Sequence, residues 1–133
     1  MKEYLFAYGT LQPKLAPPEV EPLVSKFRHV GRGYIHGRLY EFGDYPGAVL
    51  GETQQRVWGE VFQLPADTEV LRQLDEYVRF DPSDLKSSQF VREMRVAVLE
   101  TGEALNAWVY IYNREPGSAP RIESGDFVKF RKP

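Results

Sequence analysis

An α+β fold is what three features of this sequence predict. Short strand-like runs and short helical stripes follow one another in the order β, α, several β, α, β, β, which is not the regular alternation of a doubly wound sheet. The last two strand-like runs are apolar on both faces in places, as in a sheet packed or closed on itself. No repeat, low-complexity tract or linker divides the chain, and its prolines and glycines are scattered as turn punctuation. Residues 1–133 therefore read as one domain.

Each element has its own warrant. "EYLFAYG" is an apolar and aromatic run that stops at Gly9, the pattern of a buried first strand. "TLQPKLAPPEVEP" is a loop. Val20, Leu23, Val24 and Phe27 then fall at helical spacing and make one apolar stripe on a short helix. "YIHGRLYEF" and "QRVWGEVFQL" return to strand character, and "GDYPGA" between them carries the proline and glycine of a turn. After Pro65, Asp67 can cap a helix whose Val70, Leu71, Leu74 and Tyr77 share a face. "FVREMRVAVLETGEALNAWVYIYN" is two strands joined around Thr101 and Gly102, a hairpin.

Composition narrows the function classes. With 42% hydrophobic, 14% aromatic and 27% charged residues the chain is a folded soluble type. Its net charge of -2 argues against nucleic acid or an anionic membrane as a partner, and the local cluster Lys26, Arg28, His29, Arg32 and Arg38 matches no nucleic-acid module and reads as a solvated face. The absence of cysteine excludes disulfides, thiolate nucleophiles and zinc ribbons. "MKEYLFAYGT" is too short and too polar an apolar run for a signal peptide or a span, so a cytoplasmic location is expected.

Most catalytic patterns fail on spacing. His29 and His36, the two histidines, have no activated serine context and no metal-ligand spacing, and on a regular strand they would sit on opposite sides. The glycines of "GRGYIHG" miss the dinucleotide-loop spacing and lead into a strand. The informative stretch is "AYGTLQP". A strand that stops at Gly9 lets the backbone N–H groups of Gly9, Thr10 and Leu11 turn toward one space, a nest for an anion or oxyanion. The plain alternative is a strand-ending turn whose Tyr8 and Leu11 fill the core.

"YGTLQP" closely resembles the signature of the γ-glutamylcyclotransferase-like family, which includes AIG2-like proteins and γ-glutamylamine cyclotransferases. The likeness continues in order through "GDYPGAV", "VWGEVFQL", "LDEY", "AWVYIYN" and "IESGDF", over nearly the whole chain. It implies a small mixed β-barrel flanked by short helices. It also implies a reaction that needs no metal or cofactor, in which the free α-amine of a γ-glutamyl group attacks its own γ-carbonyl, releasing 5-oxoproline and an amine or amino acid. The ligand is then a small γ-glutamyl or related carboxylate compound. The implied substrate-binding residues are Tyr8, Gly9, Thr10, Leu11 and Tyr45. The backbone of Gly9 to Leu11 would serve as donors to developing charge, and the tyrosines as walls that hold the ring bent.

The family's proton acceptor is a glutamate in the pattern LDxYEG. Here the stretch reads Leu74-Asp75-Glu76-Tyr77-Val78-Arg79, with Val78 at the glutamate position and Arg79 at the glycine position. Valine accepts no proton. Either a nearby carboxylate has taken over the task, or the chain is a catalytically degenerate metabolite-binding or scaffold module. Glu76 is the candidate nearest in sequence, although a regular helix points it about 200° from position 78. Asp75 reads as facing solvent or capping a neighbour, Asp81 as starting a turn before Pro82, and Glu93 as able to reach inward if its strand register allows.

Overall fold

The computed structural model describes residues 2–12, 15–51 and 53–131. In chain order the elements are β1 (Tyr4–Ala7), α1 (Glu21–Val24), β2 (Arg28–His36), β3 (Arg38–Glu41), β4 (Pro46–Val49), β5 (Arg56–Gln63), α2 (Thr68–Tyr77), β6 (Phe90–Leu99), β7 (Ala104–Tyr112) and α3 (Phe127–Arg131). Five strands close a barrel in the order β1-β5-β2-β6-β7, and β3 and β4 form a separate two-stranded ribbon. The fold is the expected α+β mixed barrel with short helices. β1 is the keystone, antiparallel to β5 with Leu5 opposite Phe62 and parallel to β7 with Leu5 opposite Trp108.

The period of two along each strand explains why the runs are apolar on both faces. Phe6 and Tyr8 of the first run, with Val57, Val61, Ala107 and Val109, fill the barrel interior. The alternate residues Leu5, Ala7, Phe62 and Tyr110 face outward and are covered by Val20 and Val24 of the α1 region and Val70 and Leu74 of α2. Gly59 lets β5 approach β1, since a Cβ there would lie 2.4 Å from the Ala7 carbonyl oxygen. Asp67 caps α2 as expected, its side chain accepting from the Glu69 N–H at 3.0 Å. The β6–β7 hairpin turns at Thr101 and Gly102, with Gly102 at φ 95°.

Several expectations are corrected. The stretch "YIHGRLYEF" is two strands: the chain leaves the barrel at Gly37 and enters the ribbon, which Phe42 fastens to β7 by stacking on Tyr112 at 4.1 Å between ring centroids. β4 starts inside the expected turn "GDYPGA", because Pro46 is the first residue of its strand, where a missing N–H is tolerated. The helical stripe ends at Val24, and Phe27 packs on Phe62 from the turns that follow. The basic cluster is the solvated face expected, with Lys26, Arg28, His29 and Arg38 exposed, and only Arg32 turns aside to meet the buried Asp126 at 2.9 Å. A bulge between His29 and Gly31 shifts the phase of β2, so that His29 and His36 pair with Phe62 and Arg56 on the outer wall rather than on opposite sides. Among the described residues no helix is long and apolar enough to cross a membrane.

Candidate functional site

A cavity of about 400 Å³ opens where β1 ends, between the β4 start, the C-terminal end of α2, the β6 start and β7. Gly9 makes it possible. A Cβ at this position would lie 2.6 Å from Pro46 Cγ, so only glycine lets the two segments meet. The Gly9 carbonyl accepts from the Gln12 N–H at 3.1 Å and from Gln12 Nε2 at 3.3 Å, which fixes the turn. Among the described residues the N–H groups of Gly9, Thr10 and Leu11 find no acceptor, and all three residues line the cavity. Pro13 of "YGTLQP" lies outside the described residues.

Tyr8 also lines the cavity, but its hydroxyl is engaged. It donates to the Tyr110 carbonyl and accepts from the Ala48 N–H at 3.0 Å, joining β1, β7 and β4. Burial pushes this hydroxyl's pKa well up, against the lowering influence of the Ala48 bond. Tyr8 therefore presents its ring rather than a proton. Tyr45 stands on the same cavity and accepts a hydrogen bond from the Gln89 amide.

The end of α2 forms the opposite lip. Arg79 N–H donates to the Glu76 carbonyl at 3.2 Å and Phe80 N–H to the Asp75 carbonyl at 2.8 Å, the paired bonds of a Schellman cap. That cap needs a left-handed residue, and Arg79 supplies it at φ 63°, the one non-glycine residue with positive φ among those described. Val78 and Arg79 both line the cavity. Tyr77 joins them, its hydroxyl raised by burial and partly relieved by the Thr10 hydroxyl.

Behind the wall sits a buried ionic network. The Asp75 carboxylate takes Arg92 as a fork, Nε at 2.8 Å and Nη2 at 3.1 Å, and accepts from the Tyr110 hydroxyl at 2.7 Å. Burial and the Asp75 charge together push the Tyr110 hydroxyl far up. For Arg92, burial opposes the charge, but Asp75 outweighs it and the guanidinium is held more firmly protonated. Asp75 is thus neither solvent-facing nor a cap, which corrects the sequence expectation. Its helix face is set by Leu74 and Tyr77, and a polar partner on a distant strand could not be read from spacing.

The other carboxylates stay outside the cavity. Glu76 is exposed and paired with Arg72 one turn earlier, because α2 keeps regular geometry through Tyr77. Glu93 pairs with Arg95 at 2.7 Å on the exposed side of β6 and does not reach inward. Asp81 holds its own turn through Ser83, whose hydroxyl and N–H lower the Asp81 pKa. No carboxylate is among the described lining residues; Arg79 is their one charged side chain. The arrangement can hold an anion against backbone N–H groups, a guanidinium and aromatic rings, and it offers no strong proton acceptor. The segment after Tyr77 lines the cavity with Tyr8 and Tyr45 as the resemblance implied, whereas Gln89 and Pro46 were missed as cavity residues. In that segment Arg79 had a signal, its place at the glycine of LDxYEG.

Comparisons with known proteins converge. The family model described as "Gamma-glutamyl cyclotransferase, AIG2-like" matches residues 5–129. The Escherichia coli K12 protein described as "Gamma-glutamylcyclotransferase family protein YtfP" is 32% identical over 125 residues, covering 93% of this chain and 95% of the relative. The solution structure of ytfP from Escherichia coli superposes with a TM-score of 0.65 at 28% identity, covering 97% of this chain and 99% of that one. The crystal structure of an AIG2-like protein from Mus musculus gives a TM-score of 0.72 at 24% identity over 92% of this chain and 87% of that one, a likeness of fold.

Proposed function

Because the chain belongs to the gamma-glutamyl cyclotransferase, AIG2-like family, we propose that its cavity takes a γ-glutamyl or related small carboxylate compound and closes its ring only slowly. The observation that carries this reading is the lining itself, which includes Gly9, Thr10 and Leu11, whose N–H groups find no acceptor among the described residues, and Arg79, with no carboxylate among the described lining residues. The N–H groups of Gly9 to Leu11 suit an oxyanion, where one preorganised donor is worth roughly 3 kcal/mol of barrier. Arg79 suits a carboxylate of the ligand.

Ring closure needs the α-amine in its neutral form. Val78 cannot take the proton, and the nearest buried carboxylate, Asp75, is already bound by Arg92 and Tyr110. Cyclisation is then left to molecules whose amine is already neutral. The rate should climb about tenfold per pH unit below the amine's own pKa, on the order of 8 or above. A cytoplasmic setting is part of the proposal and suits a chain without cysteine.

The test pairs binding with turnover. Amide shifts of the full chain are followed while γ-glutamyl amines, γ-glutamyl peptides and 5-oxoproline are added, and 5-oxoproline release is measured across pH. The reading expects shifts at Gly9, Thr10, Leu11 and Arg79 with slow, pH-driven release. Fast release at neutral pH that Glu76→Gln abolishes would overturn it and make Glu76 the base.

A further inference from the structure

A second cavity, of about 210 Å³, shares no lining residue with the first and is bordered by Arg38, Arg56 and Arg121. We propose that it binds a phosphate-type oxyanion carried by a small metabolite. Each arginine comes from a separate segment: Arg38 begins β3, Arg56 begins β5, and Arg121 precedes the turn 122–125 and bridges to Tyr40. The ion pairs among the described residues engage Arg32, Arg72, Arg92 and Arg95, and none of these three. Glu123 is the one carboxylate at the rim among the described residues, so three arginines against one glutamate leave an excess of two positive charges among them. A phosphate monoester carries about -1.5 to -2 near neutral pH, which matches.

Two details single these guanidinium groups out from ordinary surface arginines. Arg121 borders the cavity while its Nε is buried without an acceptor among the described residues, so an incoming oxyanion would meet the outer nitrogens of this guanidinium. Arg56 stands over the Tyr34 ring, its Cζ 4.1 Å from the centroid, a cation–π contact that uses none of its N–H donors in an ion pair.

The frame is rigid as well. Gly37 N–H donates to the Gln55 carbonyl at 3.1 Å, Ile122 N–H to the Leu39 carbonyl at 2.8 Å and Trp58 N–H to the Gly125 carbonyl at 2.7 Å, so all three segments are tied together. Gly125, at φ 69°, sits so close to β5 that a Cβ would lie 1.9 Å from the Arg56 carbonyl oxygen. Backbone segments tied together before the ligand arrives leave only side chains to order on binding. The small volume of this open cleft and the net charge of -2 fit a single phosphate group better than a strand of nucleic acid, which needs a continuous basic track.

The experiment titrates inorganic phosphate, ribose 5-phosphate and single-stranded RNA into the full chain, with amide shifts and calorimetry as readouts. Phosphate or the phosphorylated sugar should shift Gly37, Arg56, Glu123, Ser124 and Gly125, leave Gly9, Thr10 and Leu11 unmoved, and bind more weakly as salt rises. Tighter binding of ribose 5-phosphate than of inorganic phosphate assigns the metabolite as source, and the reverse order assigns the free ion. Arg121→Gln should weaken binding at least about tenfold. Arg38→Gln, at an exposed position that spares the fold, should do the same and decides the matter if Arg121→Gln melts early. Shifts confined to the first cavity, equal response to chloride, unchanged affinity in Arg38→Gln, or tighter binding of RNA than of either phosphate would overturn the proposal.

Discussion

Position 78 puts a valine on the cavity lining where the LDxYEG pattern has a glutamate. If the absent carboxylate is what limits ring closure, it can be restored at two places. Val78→Glu puts it at the end of α2. Gln89→Glu puts an isosteric carboxylate on the cavity wall, where the Tyr45 hydroxyl can donate to it in place of the amide contact. A well-placed base is worth about 100-fold to 10,000-fold, so 5-oxoproline release by at least one variant should rise into that range while Glu76→Gln changes nothing. Unchanged rates in both, with melting and ligand binding intact, would remove the missing base as the explanation. Arg79 offers a second measurement. A bulky residue at φ 63° carries roughly 1 kcal/mol of strain, so Arg79→Gly should raise the melting temperature while weakening binding of carboxylate ligands. Asp75 was the residue least legible in the sequence. Its two neighbours on the helix gave an amphipathic face, but its partners, Arg92 and Tyr110, stand on strands that only the closed barrel brings near. Asp75→Asn should cost about 3 kcal/mol or more in denaturant unfolding, because it leaves the Arg92 charge half-buried without its counter-ion.

Among the elements, those with local causes were legible. The helix α2 carries its own start in Asp67 and its own apolar stripe, and Asp67→Ala should lower stability by about 1 kcal/mol, read from the melting curve. The β6–β7 hairpin announces its turn at Gly102 in the same way. Elements defined by distant partners were not legible. The start of β2 is rich in Arg and Gly and becomes a strand because β5 supplies its ladder from Gln63 back to Arg56. The ribbon strand β4 begins on Pro46, a residue that argues for a turn until Glu41 is seen opposite it. The helix α3 is only Phe127–Arg131, with Phe127 buried in the barrel core, too short for a periodic signal. In the candidate site the same division holds. The Gly9 turn was visible because a strand ended there, whereas Gln89 entered the cavity from a polar loop with no pattern of its own.

At the level of the whole molecule, the buried tyrosines tie stability to alkaline pH. Tyr8 and Tyr110 keep their protons in the folded state well above the unfolded value of about 10, so the folded chain binds more protons than the unfolded one from that pH upward. The stability these two tyrosines contribute is therefore complete below about pH 10 and falls as pH rises beyond it. Tyr8→Phe should flatten that fall in urea titrations across pH 9 to about 11, while losing stability at neutral pH through the Ala48 and Tyr110 bonds. An identical alkaline slope in both proteins would show that other groups control it.

The place of β1 in the barrel also sets an order of events during synthesis. Its four residues, Tyr4–Ala7, leave the ribosome before those of the other barrel strands, yet their neighbours are β5 and β7, whose last residue is Tyr112. The Gly9 turn hangs from this strand, so the pocket must await β7, and contacts of such long sequence separation place folding toward the slow, millisecond-to-second range. Until then the apolar first strand lacks its β7 edge, and nascent chains halted before Ala104 should be captured by hydrophobic-surface probes that ignore the finished protein.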